Sequence, residues 1–188
     1  IPDLTTPCNM KDETMRMTKS FAAAAIATAA VAAVTLHAEA ATRTQKGFSG
    51  WQVDCNESDD GKKACALQYS LLNQKNRQTV FSWTIIKGDK DGGPNKAVIR
   101  TPNGVLLSEG VNIGFEGADP VKINYLTCGP RACVAEFDFT DQWSKALSGN
   151  EKVMVNLKAA NQKPVKFDIN LKQFSDAYSY FKTQLSEK

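Results

Sequence analysis

"GWQVDCNESDDGKKACALQYSLL", residues 50–72, decides how the rest of the chain is read. Trp51, Val53 and Cys55 alternate with Gln52 and Asp54, the two-residue period of a strand with one buried face. A polar loop with its turn at Asp60-Gly61 follows, and Lys63 to Leu72 resumes a strand-like pattern. One cysteine closes the first strand and another stands near the opening of the second. Cross-strand neighbours in such a hairpin come within about 4.5 to 5.5 Å, near the reach of a disulfide.

The same grammar continues outward. Residues 79–86, "TVFSWTII", are β-branched and aromatic, and "GDKDGGPN" at 88–95 reads as a turn. "KAVIRT" (96–101) leads to a turn at Pro102-Asn103-Gly104 and then "VLL", with Asn103-Gly104 a hairpin signal. "VNIGF" (111–115), "VKINYLT" (121–127), "ACVAEFDF" (132–139), "KVMVNLKA" (152–159) and "PVKFDINL" (164–171) complete the series. Many short strands at close spacing predict an all-β fold, mostly antiparallel, arranged as a sandwich or barrel-like sheet.

Two helices are predicted among the strands. Thr140-Asp141 can cap a short one through residues 142–147, ended by Gly149. Near the C-terminus Phe174, Ala177, Tyr178, Phe181 and Leu185 recur at three- and four-residue steps, an amphipathic helix suited to docking on a sheet.

The chain has 188 residues and a net charge of +3. Met17-Thr-Lys19-Ser, an alanine-rich run from Phe21 to Leu36 and the Ala38-Glu39-Ala40 site have the order of a secretory signal peptide, residues 17–40. Sixteen small apolar residues are short for a bilayer span of about 20, so no stable transmembrane span is expected after cleavage. Residues 1–16 are expected to be an upstream extension, disordered or foreign to the native protein. Residues 41–49 are expected to be a flexible lead-in, and residues 50–188 a single disulfide-braced β domain.

Export would remove His37, the only histidine, together with Cys8. It would leave 20 basic and 16 acidic residues, interspersed without a long basic block, so nucleic acid is not indicated. Four cysteines remain: Cys55, Cys65, Cys128 and Cys133. An even count behind an export signal implies disulfides. Three pairings are open; 55–65 with 128–133 is favoured because it needs no long-range topology. Loops this short should stabilise by roughly 2 to 3 kcal/mol per bridge. A four-cysteine zinc site would want two C-x2–4-C pairs, and a cysteine nucleophile usually needs histidine, so both fare worse.

Other chemistry finds little footing. Without histidine, Ser-His-Asp mechanisms are excluded. Glu57, Asp59 and Asp60 form one acidic cluster, and Asp138 with Asp141 another beside Trp143. Calcium ligation or paired-acid hydrolysis is the functional reading; a solvated loop and a helix cap is the blander and preferred one, since no calcium-loop pattern is present. Trp51, Trp83 and Trp143 could stack on a ligand, but two of them sit in strand patterns and read as core. The scattered lysines and arginines read as solvated faces. No catalytic, cofactor-binding or metal-ligating residue is identified, and the chain is read as not an enzyme.

"GWQVDC", a second cysteine followed by "ALQYSLLN", "TPNGVLLSEGVNIGF", "INYLTCGPRACVAEFDF" and "NLKQFSDAY" occur in an order that resembles the invasion-associated locus B family. The resemblance runs from about Gly50 to Tyr178. It implies a compact β-rich domain with two disulfides, exported in Gram-negative bacteria and associated with host-cell invasion. The residues it carries over are structural: the four cysteines and the turn glycines Gly104 and Gly110. The function so implied is non-enzymatic binding of a protein, glycan or envelope partner by a periplasmic, outer-membrane-associated or secreted protein. A periplasmic small-ligand carrier with a cavity between the sheets is the alternative.

Overall fold

The computed structural model describes residues 42–90 and 92–186. Residues 1–16, the 17–40 leader, Cys8 and His37 lie outside the described residues. The architecture is mostly antiparallel β, in two sheets with two helices.

The larger sheet contains seven strands: β1 (Thr42–Phe48), β2 (Trp51–Glu57), β3 (Lys63–Leu72), β4 (Thr79–Ile86), β5 (Asn95–Thr101), β8 (Tyr125–Cys128) and β9 (Cys133–Phe139). Their order is β1-β2-β3-β4-β5-β9-β8, every neighbouring pair antiparallel. The smaller sheet contains β6 (Val111–Gly114), β7 (Val121–Ile123), β10 (Lys152–Lys158) and β11 (Pro164–Asn170), ordered β11-β10-β6-β7. Helix α1 spans Asp141–Gly149 and α2 spans Phe174–Ser186.

Alternation sorts the side chains. Trp51, Val53 and Cys55 of β2, Leu67 of β3, Trp83 and Ile85 of β4 and Ile99 of β5 turn inward and are buried. They join Val111, Ile113, Val153, Val155 and Ile169 of the smaller sheet in one hydrophobic core. Each fully buried large side chain stabilises by about 1.5 to 3 kcal/mol relative to exposure. The centre is aromatic. Trp51 meets Phe174 of α2 at 4.8 Å between ring centroids, and Phe81 meets Phe167 of β11 at 5.2 Å. Trp51 Nε1 donates to the Asn170 carbonyl at 3.0 Å, satisfying its one polar atom at the seam between β2 and the end of β11. Trp83 Nε1 is buried without such a partner among the described residues; the rings of Phe137 and Trp143 lie edge-on beside that indole.

Four local expectations are corrected. Of the expected lead-in at 41–49, residues 42–48 instead form β1, joined to β2 by a two-residue turn at Ser49 (φ 42°) and Gly50 (φ 98°). Six of its seven residues are exposed, so it carries no apolar alternation. "VLL" is not a strand. Val105 makes one isolated bridge to Ala159, and Leu107–Glu109 form a single 3-10 turn. "VKINYLT" is two strands, because β7 pairs with β6 in the small sheet and β8 with β9 in the large one, the chain changing sheets at Asn124. Thr140 holds the position before α1 but makes no side-chain cap bond; the far end is satisfied instead, Asn150 Nδ2 donating to the Ala146 carbonyl at 2.8 Å.

Candidate partner-binding face

The residues between the inward ones on the large sheet point the other way. Register places Gln52, Gln68, Thr84, Val98 and Glu136 in one row across five strands, and Ser70, Ser82, Arg100 and Val134 in the next. The small sheet and α2 pack against the opposite side through Phe167 and Phe174. This outward face is mostly polar, with Val98, Val134 and Ile86 among its apolar residues. Ser82 and Thr84 on it are 5% and 8% exposed.

Charge on the face is unevenly distributed. At one end Lys96 lies 2.8 Å from Asp138 and 3.4 Å from Glu136, and the hydrogen bond to Asp138 holds its ammonium above the usual lysine range. On the flank, Arg43 and Asp54 form a two-point pair, Nε to Oδ1 at 2.9 Å with a second bond from Nη2 to Oδ2. That hydrogen bond holds the Asp54 carboxyl below the usual carboxylate range. At the opposite end lies a cleft of about 630 Å³ whose lining includes Gln68, Gln78, Thr79, Ser82, Arg100 and Arg131. No acidic residue lines it, and neither arginine has an ion-pair partner among the described residues. A larger cleft of about 830 Å³ lies among the α1–β10 turn, β11 and the start of α2. Its lining mixes Glu151, Asp168 and Asp176 with Lys152 and Lys172, so both signs are present and no cationic excess remains.

Both cysteine pairs are bonded within their own hairpins. Cys55 and Cys65 face each other across β2–β3, and Cys128 and Cys133 across β8–β9, each with Cα atoms 4.0 Å apart. The second bridge closes the loop that carries Arg131. Asn103 Nδ2 clamps the same loop by donating to the Gly129 and Pro130 carbonyls, both at 3.0 Å.

In each acidic cluster one carboxylate is held by a neighbouring lysine. Asp60 is held by Lys62 Nζ at 2.6 Å and Ser58 Oγ at 2.5 Å, and these bonds lower its carboxyl pKa. Asp138 faces Lys96, while Asp141 starts α1. No group of three or more potential metal ligands occurs among the described residues. Trp51 and Trp83 are core, and Trp143 packs against it from α1. A contiguous exposed apolar patch commonly marks a protein-interaction surface. The large exposed apolar residues, among them Leu72, Leu107, Val121 and Leu126, instead lie on separate elements. None of the clefts described opens between the two sheets.

Arg100 and Arg131 escaped the sequence reading, which left the cations as solvated side chains. Two signals were present: Arg100 is the outward residue between Ile99 and Thr101, and Arg131 sits in a four-residue loop bracketed by cysteines. Their meeting depends on β5 lying beside β9, a sheet order the sequence does not display.

Two antiparallel sheets over an aromatic core, stapled by two hairpin disulfides, define a disulfide-braced two-sheet β protein. The chain belongs to the invasion associated locus B (IalB) protein family, whose model matches residues 51–182. It is 25% identical over 138 residues to the Invasion protein B homologs of Brucella abortus strain 2308 and of Brucella abortus biovar 1 strain 9-941. Each alignment covers 73% of this chain and 78% of the relative. The fold is similar to the crystal structure of invasion associated protein b from Bartonella henselae, with a TM-score of 0.64 at 20% identity over 74% of this chain and 95% of that one. The family is named for invasion and not for an enzymatic activity. Two disulfides fit an exported protein, since such bonds persist in oxidising compartments. No helix among the described residues is long and apolar enough to cross a membrane.

Proposed function

We propose that this chain is an exported, non-enzymatic contact protein, periplasmic, outer-membrane-associated or secreted. It binds a protein, glycan or envelope partner in the service of host-cell interaction. The observation that carries the reading is the outward face of the large sheet. One side of the sheet is sealed by the core, while the other presents a rigid, mostly polar surface ending in an uncompensated cationic cleft. Disulfides at β2–β3 and β8–β9 stiffen that surface, and stiffness lowers the entropy lost on binding.

Site-specific photo-cross-linking tests the proposal. A cross-linker at Gln52 or Glu136 on the outward face should capture a discrete partner from envelope or host-membrane extracts. One at Lys166, on β11 of the small sheet, should not. Equal capture from both positions, or none from the outward face, would count against it.

A further inference from the structure

We infer that the Arg100–Arg131 cleft is a binding site for an acidic sugar: an oxyanion carried on a hydroxyl-bearing ring. The inference rests on the contact-protein reading and names the chemistry that part of the face selects.

Three features point to this ligand class. First, the cleft is electrostatically one-sided. Two guanidinium groups line it, no carboxylate does, and the acids elsewhere on this face are engaged, Glu136 and Asp138 by Lys96 and Asp54 by Arg43. Guanidinium presents a planar fork of donors that matches carboxylate, sulfate or phosphate oxygens two at a time.

Second, the remaining polar lining is ambivalent. Gln68 and Gln78 carry amides, and Thr79 and Ser82 carry hydroxyls, so each both donates and accepts. The ring hydroxyls of a sugar have the same double character. Ser82 lines the cleft in register with Arg100, and Gln68 is already oriented by its Nε2 bond to Ser70 Oγ at 2.7 Å. No aromatic ring lines the cleft, which removes the stacking platform that a nucleobase requires.

Third, the site is preorganised. Gln68, Ser82 and Arg100 stand on adjacent strands of one sheet, the last two directly paired in register. Arg131 sits on a loop closed by the Cys128–Cys133 bond and clamped by Asn103. At about 630 Å³ the cleft falls within the usual range of small-ligand sites.

Isothermal titration of the disulfide-intact chain tests the assignment. The probes are a sulfated uronic-acid disaccharide of host type, glucosamine phosphate of envelope type, the corresponding neutral sugars, sodium sulfate, sodium phosphate and an acidic peptide. At least one acidic sugar should bind at low ionic strength, and the tighter of the two identifies the source. Binding should weaken from 0.05 to 0.5 M salt. Arg100→Ala and Arg131→Ala should each lower affinity about tenfold or more. R100K and R131K should fall between the alanine variants and the parent, because lysine keeps the charge and loses the fork. Both arginines are exposed, so the variants should melt with the parent. Five results would overturn the assignment: no binding of either acidic sugar; equal binding of the neutral sugars; equal binding of inorganic sulfate or phosphate; equal binding of the acidic peptide; or affinity unchanged in the R100A/R131A double variant. Should the outward cross-link survive any of these, only the acidic-sugar assignment falls and the contact reading stands.

Discussion

Loss of the Cys55–Cys65 bond is the most demanding test of how this fold is held. The two residues are separated by ten positions, and the constraint on an unfolded loop of that size is worth about 2.8 kcal/mol. Both sulfurs face the core, at 2% and 6% exposure, so replacing the pair by alanine also removes buried atoms. That adds about 0.5 to 1 kcal/mol. The Cys55→Ala/Cys65→Ala variant should therefore lose about 3 to 4 kcal/mol. At about 2 to 4 °C per kcal/mol for a domain of this size, its melting temperature should fall by roughly 6 to 16 °C. The second bridge spans five positions, for which loop closure gives about 2.2 kcal/mol, and Cys128 is exposed. Its removal should cost about 1 kcal/mol less than removal of the first. Urea unfolding followed by the fluorescence of Trp51, Trp83 and Trp143, with far-ultraviolet dichroism as a second probe, measures both variants against the parent. A loss below 1 kcal/mol for the first variant, or a larger loss for the second, would refute loop closure plus burial as the source of the stabilisation.

Gly110 and Gly104 both adopt positive φ, at 64° and 90°, but only Gly110 is crowded: a Cβ there would stand 2.5 Å from the Ile123 carbonyl oxygen. Gly110→Ala should cost about 2 to 3 kcal/mol and Gly104→Ala about 1, by the same urea assay; equal losses would remove the contact argument. The Asp54 carboxyl, lowered by its hydrogen bond from Arg43, favours the folded state above the usual carboxylate range and loses that contribution as pH falls through its depressed folded value. Amide exchange of β1 should therefore accelerate relative to β3 as pH drops below about 4, and Asp54→Asn should abolish the difference; pH-independent protection of β1 would show that the pair does not hold the strand.

Much of both sheets was legible because burial on one side writes a two-residue period into the sequence. Trp51, Val53 and Cys55, and the alternating segments that became β10 and β11, show it plainly. The C-terminal helix was legible for the analogous reason, its buried Phe174, Ala177 and Phe181 recurring at helical steps. Failures fell where that coupling breaks. β1 has six exposed residues, so nothing hydrophobic marks it, and only Ser49-Gly50 hinted at a hairpin. The division of residues 121–127 follows from which sheet each half pairs with, a nonlocal fact. The cationic cleft was hidden likewise: Arg100 and Arg131 are remote in sequence and meet only through the order β5-β9-β8.

That strand order has a further consequence at its two ends. An unpaired sheet edge invites addition of a foreign strand, which leads to fibrils or to promiscuous association. Here one border is β1, whose Arg43 and Lys46 would bring charge against an incoming backbone. The other is β8, only four residues long and bulged between Tyr125 and Thr127. Neither border offers a long, flat, uncharged template. Both borders of the larger sheet therefore disfavour edge-to-edge addition of a second copy's strand.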